Sequence, residues 1–151
     1  RTELLLHCYK PKKLKTFITT RQNNFKELVN YFSGYPEYFI TPQSILPYSK
    51  SNVQTAWMSL PITLTQEAPF SRNDIIRHLE KKNIQTRPVL TGNITRHPGF
   101  KNIKWVKNKE GYNNADYIMM NGFVIGCHHA LTPTHINYMK NTIDDFLKKF
   151  N

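Results

Sequence analysis

The sequence predicts an α/β domain of two layers (α+β), a small sheet with helices packed on one face. Stretches with apolar residues at three- and four-residue steps alternate along the chain with short apolar runs bounded by turn residues. Two helix starts are also written out: Ser71 with Asp74 three residues on, and Thr132 followed by Pro133. At 151 residues the chain suits one domain with a real core.

The elements follow in order. Residues 1–12 read poorly: Leu4-Leu5-Leu6 could end a helix, and Pro11 is expected to interrupt it. From 13 to 32 the pattern is helical, with Leu14, Phe17, Ile18, Phe25, Leu28, Val29 and Phe32 near one face and Ser33-Gly34 as the stop. Residues 35–52 carry Pro36, Pro42 and Pro47 and read as an irregular connection with a short strand at 38–40. Residues 54–64 read as a strand with Trp57, Met58, Leu60, Ile62 and Leu64 on its apolar side; Pro61 marks an edge or a bulge. Ser71 caps a helix running to about residue 82, with Ile75, Ile76 and Leu79 apolar and Asn83 taking a left-handed turn.

Residues 84–90 return as a strand and break into a loop at Gly92-Asn93. The polar segment up to Gly111 has Trp105 as its one large anchor. A short helix is expected over 113–120 with Ala115, Ile118 and Met119 inward, then a strand over 123–128. The last helix starts at Thr132-Pro133 and buries Ile136, Met139, Ile143, Phe146, Leu147 and Phe150.

The net charge of +11 raises nucleic acid as a partner. The lysines are dispersed, however, and the densest cluster, residues 10–15, holds four. No helix-turn-helix, zinc-finger or RNA-recognition pattern is present. A basic surface that favours an anionic small molecule or an acidic partner explains the charge equally well. No apolar run is long enough to span a bilayer, and no signal-peptide pattern opens the chain. Cys8 and Cys127 match no metal spacing, so reduced thiols in the cytoplasm are expected. The chain opens on Arg1 rather than methionine and reads as a piece of something longer.

Residues 85–98 concentrate Arg87, Arg96, Thr91, Asn93 and His97 around Gly92. Arginine presents a planar fork of donors that fits carboxylate and phosphate oxygens; the alternative is a basic surface loop. His128-His129 invites a metal reading, but neighbouring strand residues point to opposite faces and no third ligand stands at useful spacing. A Cys127–His128 nucleophilic pair fares no better, since catalytic partners meet in space. Glycine-rich phosphate loops and the Gly-x-Ser-x-Gly elbow are absent, and Asp144-Asp145 fall on a helix expected to be solvated. Judged on these residues alone, the chain holds no complete active site.

Five segments stand in an order that resembles one family. They are Phe17-Ile18-Thr19-Thr20-Arg21-Gln22-Asn23-Asn24-Phe25, Ala56-Trp57-Met58-Ser59-Leu60-Pro61-Ile62 and Phe70-Ser71-Arg72-Asn73-Asp74-Ile75-Ile76-Arg77. The Thr86-Arg87-Pro88 stretch continues through Thr91-Gly92-Asn93-Ile94-Thr95-Arg96-His97-Pro98. Asn114-Ala115-Asp116-Tyr117 leads into Asn121-Gly122-Phe123-Val124-Ile125-Gly126-Cys127-His128-His129. Together they resemble the C-terminal portion of the DegT/StrS sugar aminotransferases, most of all the branch of 3-dehydratases acting on nucleotide-linked 4-keto-6-deoxyhexoses.

The resemblance covers residues 13–151 and leaves 1–12 uncertain. It implies the small C-terminal domain of the aspartate-aminotransferase-like fold of type I, with the domain that binds pyridoxal 5′-phosphate absent. The aldimine lysine of the aminotransferases, or the histidine base that replaces it in the dehydratases, would lie upstream, so no catalytic residue is expected here and the fragment alone is expected to be inert. The substrate side is implied for Arg87, Thr91, Gly92, Asn93, Arg96, His128 and His129. Arg87 would bind the substrate or the carboxylate of an amino donor, and Arg96 the nucleotide diphosphate.

A homodimer and a nucleotide-diphosphate sugar are the implied partners, with no membrane and no nucleic acid. Electrons from a [2Fe-2S] partner would accompany only the cytidine-linked branch; the Asn121-Gly122-Phe123 ending leans toward the branch that uses glutamate. A sugar aminotransferase, or a non-catalytic basic binding module, is the alternative.

Overall fold

The computed structural model describes residues 2–42, 55–106, 108–109 and 111–150, with the side chains of the first helix described from Lys13 onward. That helix, α1 (Thr2–Phe32), runs through Pro11, where an interruption was expected. A helix-interior proline costs roughly 3 kcal/mol, and the apolar face that follows outweighs it. Phe25, Leu28, Val29 and Phe32 of that face are buried, whereas Leu14 is 53% exposed.

Four strands follow, β1 (Phe39–Ile40), β2 (Ser59–Leu64), β3 (Thr86–Pro88) and β4 (Gly122–Gly126), in spatial order β1-β2-β4-β3. Every pairing is antiparallel. Between them lie α2 (Arg72–Lys81) and α3 (Asn113–Asn121), and α4 (Pro133–Leu147) closes the domain. The strands are shorter than the apolar runs predicted, with β1 pairing over two residues and β3 over three. Pro61 stands in a strand that is internal by order. Yet β1 pairs only with Thr63 and Leu64, so β2 has a single neighbour beside Pro61, and an edge-like position is what proline needs.

One face of the sheet makes the core. Leu60, Ile62 and Leu64 of β2 and Phe123 and Ile125 of β4 are each 2% exposed or less, and α1, α2 and α4 cover them. Burying each such side chain contributes about 1.5–3 kcal/mol. Ile136, Met139, Ile143, Phe146 and Leu147 supply the stripe of α4 as the spacing predicts, with Phe150 packed against the core beyond the helix end. Ser71 caps α2 through a reciprocal capping box with Asp74, and Asn83 takes the left-handed turn (φ 59°).

Several apolar residues expected inside are outside. Met58 is 68% exposed, Trp57 stacks on Phe25 at 4.4 Å while staying 37% exposed, and Ile118 of α3 is 38% exposed. Trp105 is 42% exposed and meets Tyr112 edge-on. Asp144 differs in the other direction. It is half-buried and accepts from the Tyr31 and Tyr35 hydroxyls at 2.5 and 2.9 Å, so it ties α4 to α1 instead of facing solvent. No helix among the described residues is long and apolar enough to cross a membrane.

Candidate functional site

Opposite the core, β2, β4 and β3 leave a face that is open among the described residues. Strand alternation decides what it presents. Phe123 and Ile125 point inward, so Val124 points outward, and Arg87 stands opposite Val124 in the β3–β4 ladder. A cavity of about 720 Å³ lies on this face, lined by Met58, Ser59, Arg87, Leu90, Val124 and Gly126 among others. Its walls are mostly apolar with one guanidinium.

Thr86, the neighbour of Arg87, is buried and anchored. Its amide and hydroxyl both donate to the Glu80 carboxylate of α2, at 2.6 and 2.7 Å. These bonds hold the Glu80 carboxyl below its ordinary range, with a smaller contribution from the Arg87 charge. Arg87 itself donates to the Thr86 carbonyl at 2.9 Å and stays exposed. Among the described residues it forms no salt bridge. A cation fixed at its base and free of a bonded carboxylate, over an apolar cavity, is built to receive an anionic group.

The loop after β3 is folded onto α3. Gly92 adopts φ +66°, and a Cβ there would sit 2.6 Å from Cγ of Met119. The close approach that glycine permits is therefore to α3. Asn93 is 4% exposed and bonded through both ends of its amide. Its Oδ1 accepts from the Thr95 amide and hydroxyl at 3.1 and 2.6 Å, starting a short 3₁₀ turn, and its Nδ2 donates to Asp116 Oδ1 at 2.7 Å.

Arg96 grips the same carboxylate with two bonds, Nε to Oδ1 at 3.1 Å and a second nitrogen to Oδ2 at 2.6 Å. The pair raises the arginine's already high value and, with the Asn93 bond, lowers that of Asp116. The Thr91 carbonyl accepts from His97 Nε2 at 2.8 Å, and its side chain is exposed.

His128 and His129 lie elsewhere. Pro88 pairs with Phe123 at the start of β4, while the histidines follow its end, about 15 Å of strand away. His129 stacks on Phe17 of α1, ring centroids 3.9 Å apart, and its Nδ1 accepts from Arg21 at 3.2 Å. His128 is exposed, and its Nδ1 accepts from the Ala130 amide. The turn that carries both is pinned by buried Asn24, which donates to the His128 and Leu131 carbonyls. The seven predicted residues thus form two groups: Arg87 and the loop after it lie alongside the middle and start of β4, and the histidines lie beyond its end.

Three partners escaped the sequence reading: Asp116, Arg21 and Asn24. All three fall inside the family-like segments, but an acid in a helix first turn or polar residues on a long helix carry no local signal of a remote partner.

The model of the DegT/DnrJ/EryC1/StrS aminotransferase family matches residues 5–144. A dTDP-4-dehydro-2,6-dideoxy-D-glucose 3-dehydratase of Saccharopolyspora spinosa is 29% identical over 137 residues, 91% of this chain and 28% of that protein. A GDP-4-keto-6-deoxy-D-mannose 3-dehydratase of Escherichia coli O55:H7 is 21% identical, over 87% of this chain and 32% of its own length. Among solved structures, an E. coli GDP-4-keto-6-deoxy-D-mannose-3-dehydratase with bound hydrated PLP aligns with a TM-score of 0.74 at 22% identity, covering 89% of this chain and 33% of that one. An aminotransferase from Psychrobacter cryohalolentis aligns at 0.75 and 16% identity, covering 96% and 38%. The fold is shared with these enzymes, and the chain spans about a third of the length of the relatives it matches. The match over nearly the whole chain places it in a family: this protein belongs to the DegT/DnrJ/EryC1/StrS aminotransferases.

Proposed function

We propose that this chain is the C-terminal, substrate-side domain of a pyridoxal-phosphate-dependent nucleotide-sugar 3-dehydratase, which removes the C3 hydroxyl of a 4-keto-6-deoxyhexose in deoxysugar or O-antigen synthesis. One observation carries the reading: Arg87 is exposed on the open sheet face, without a salt bridge among the described residues, over a cavity of about 720 Å³. Relatives whose names describe 3-dehydratases of nucleotide-linked deoxysugars, and one named as a lipopolysaccharide biosynthesis protein, support the same class.

The residues fit a supporting part toward the cofactor. Among the described residues no lysine lines the cavity, and the described part of this face would serve as one wall of a site that the rest of the protein completes. Bound there, pyridoxal phosphate would supply the electron sink for loss of the hydroxyl. Arg87 would hold the substrate, or the carboxylate of a glutamate amino donor, by a bidentate contact. The Thr91–Gly92–Asn93 turn, seated on α3, would set the path of the chain as it leaves β3 beside the ligand. Arg96, with its side chain 64% exposed, would trade part of its Asp116 contact for a diphosphate. His128 and His129 would border an extended ligand at the far end of β4. The protein would be a homodimer of the cytoplasm, drawing on glutamate in preference to a [2Fe-2S] partner.

The test is Arg87→Ala in the intact protein, supplied with a nucleotide-linked 4-keto-6-deoxyhexose. Turnover should fall roughly ten- to a hundredfold, with stability within about 0.5 kcal/mol of the parent. Parental activity in that variant would overturn the assignment. An amino sugar as product, in place of a 3-deoxy sugar, would mean the aminotransferase of the same family; the aminotransferase structures that share the fold favour that second reading. Salt-sensitive binding to random DNA with none to the nucleotide sugar would instead identify a basic binding module.

A further inference from the structure

A second cavity, of about 450 Å³, opens on the helix side where β4 ends. Lys82 and Gln85 of the α2–β3 turn line it, with His128 after β4 and His135 and Tyr138 of α4. Its chemistry is set by how the two imidazoles are held. The Ala130 amide donates to Nδ1 of His128 at 3.3 Å, and the Thr132 amide donates to Nδ1 of His135 at 3.1 Å. A nitrogen that accepts from an amide carries no proton, so in each neutral ring the proton sits on Nε2.

Two Nε2–H donors therefore line one cavity, and no described residue takes either of them in a hydrogen bond. That arrangement is wrong for a cation, which needs the Nε2 lone pair, and right for an oxyanion. Lys82 adds a positive charge. The Asp145 carboxylate feels that charge but bonds Lys148 at 2.9 Å, and no acidic side chain among the described residues lines the cavity. The Tyr138 hydroxyl is spent on the Lys82 carbonyl at 3.1 Å, which fixes the Lys82 backbone against α4.

We infer that this cavity is a binding site for a phosphate group, received by Nε2–H of His128, Nε2–H of His135 and the Lys82 ammonium. The inference does not depend on the reading of Arg87, although Gln85 and Gly126 line both cavities and a phosphate-bearing ligand could reach from one to the other. The phosphate could belong to a free phosphoanion or to a nucleotide.

Calorimetric titration of the intact protein with inorganic phosphate, and separately with a nucleoside diphosphate, tests it. Lys82→Ala and His128→Ala should each weaken phosphate binding about tenfold, and the pair together should abolish it. Both side chains are exposed and outside the core, and circular dichroism checks that each variant folds. Arg87→Ala should leave inorganic phosphate binding as it is. Tighter binding of the nucleoside diphosphate, lost in the same variants, would assign the site to a nucleotide; equal binding would assign it to free phosphate. Parental phosphate affinity in the double variant, loss of it in Arg87→Ala alone, or no phosphate binding by the parent would each overturn the inference.

Discussion

Asn93 and Asp116 lock the loop after β3 to α3: the Asn93 amide, 4% exposed, donates to the Asp116 carboxylate at 2.7 Å. The other end of the same amide starts the 3₁₀ turn over Ile94–Arg96. Asn93→Ala removes three hydrogen bonds from a buried position, two of them from Thr95. We expect a loss of about 1–3 kcal/mol, measured by urea unfolding at neutral pH. A loss indistinguishable from zero would mean that water replaces the amide at no cost.

Asp116 also predicts an acid dependence. Arg96, and after it Asn93, hold its carboxyl below the ordinary value of 3.8. The folded value lies under the unfolded one. The contribution is therefore complete above the unfolded value and is lost as pH falls through the folded one. Asp116→Asn should be less stable than the parent at neutral pH, and the gap should narrow as the solution is taken below about pH 4. Paired unfolding curves across that range check it; a gap that stays constant would remove Asp116 from the acid response.

Two glycines give a matched contrast. Gly92→Ala forces a Cβ to 2.6 Å from Met119 at φ +66°, whereas Gly99 has nothing within 4 Å of a Cβ. Gly92→Ala should cost about 1–3 kcal/mol, and Gly99→Ala should stay within about 0.5 kcal/mol of the parent. Thermal unfolding of the two variants side by side reads the difference. Equal stabilities would mean that the loop is not seated on α3 in solution.

Cys127 is fully buried at the end of β4, and burial pushes its thiol up to about 11, against a small opposing pull from Arg21. Little thiolate exists at neutral pH and reagents have no path to it. Alkylation mapped by mass spectrometry should leave Cys127 unmodified in the folded protein and label it fully in denaturant. Rapid labelling of Cys127 in the native state would show that the β4–α4 turn opens readily.

The sequence announced those features whose causes are local. Ser71 with Asp74 caps α2 wherever the helix goes, and the stripe from Ile136 to Leu147 is fixed by spacing along one helix. Strand ends were less legible, because β3 stops where β4 stops pairing with it, and nothing near Ile84 or Leu90 encodes that. Trp57 and Met58 continue the apolar run of β2, yet only the finished sheet decides which face they join. Arg87 stood out as an arginine between strand and loop. The separation of His128 and His129 from Arg87 could not be read, since it follows from β3 running antiparallel to β4.

The strand lengths bear on how this protein can associate with copies of itself. One border of the sheet is β1, two residues long; the other is β3, three residues ending in a proline. Neither offers a row of backbone groups long enough to template an added strand, and Pro88 has no N–H to give. Among the described residues, sideways growth into a continuous sheet is thereby disfavoured at both borders. Contacts made by this sheet are left to its faces and to the helices beside it, where side chains choose the partner.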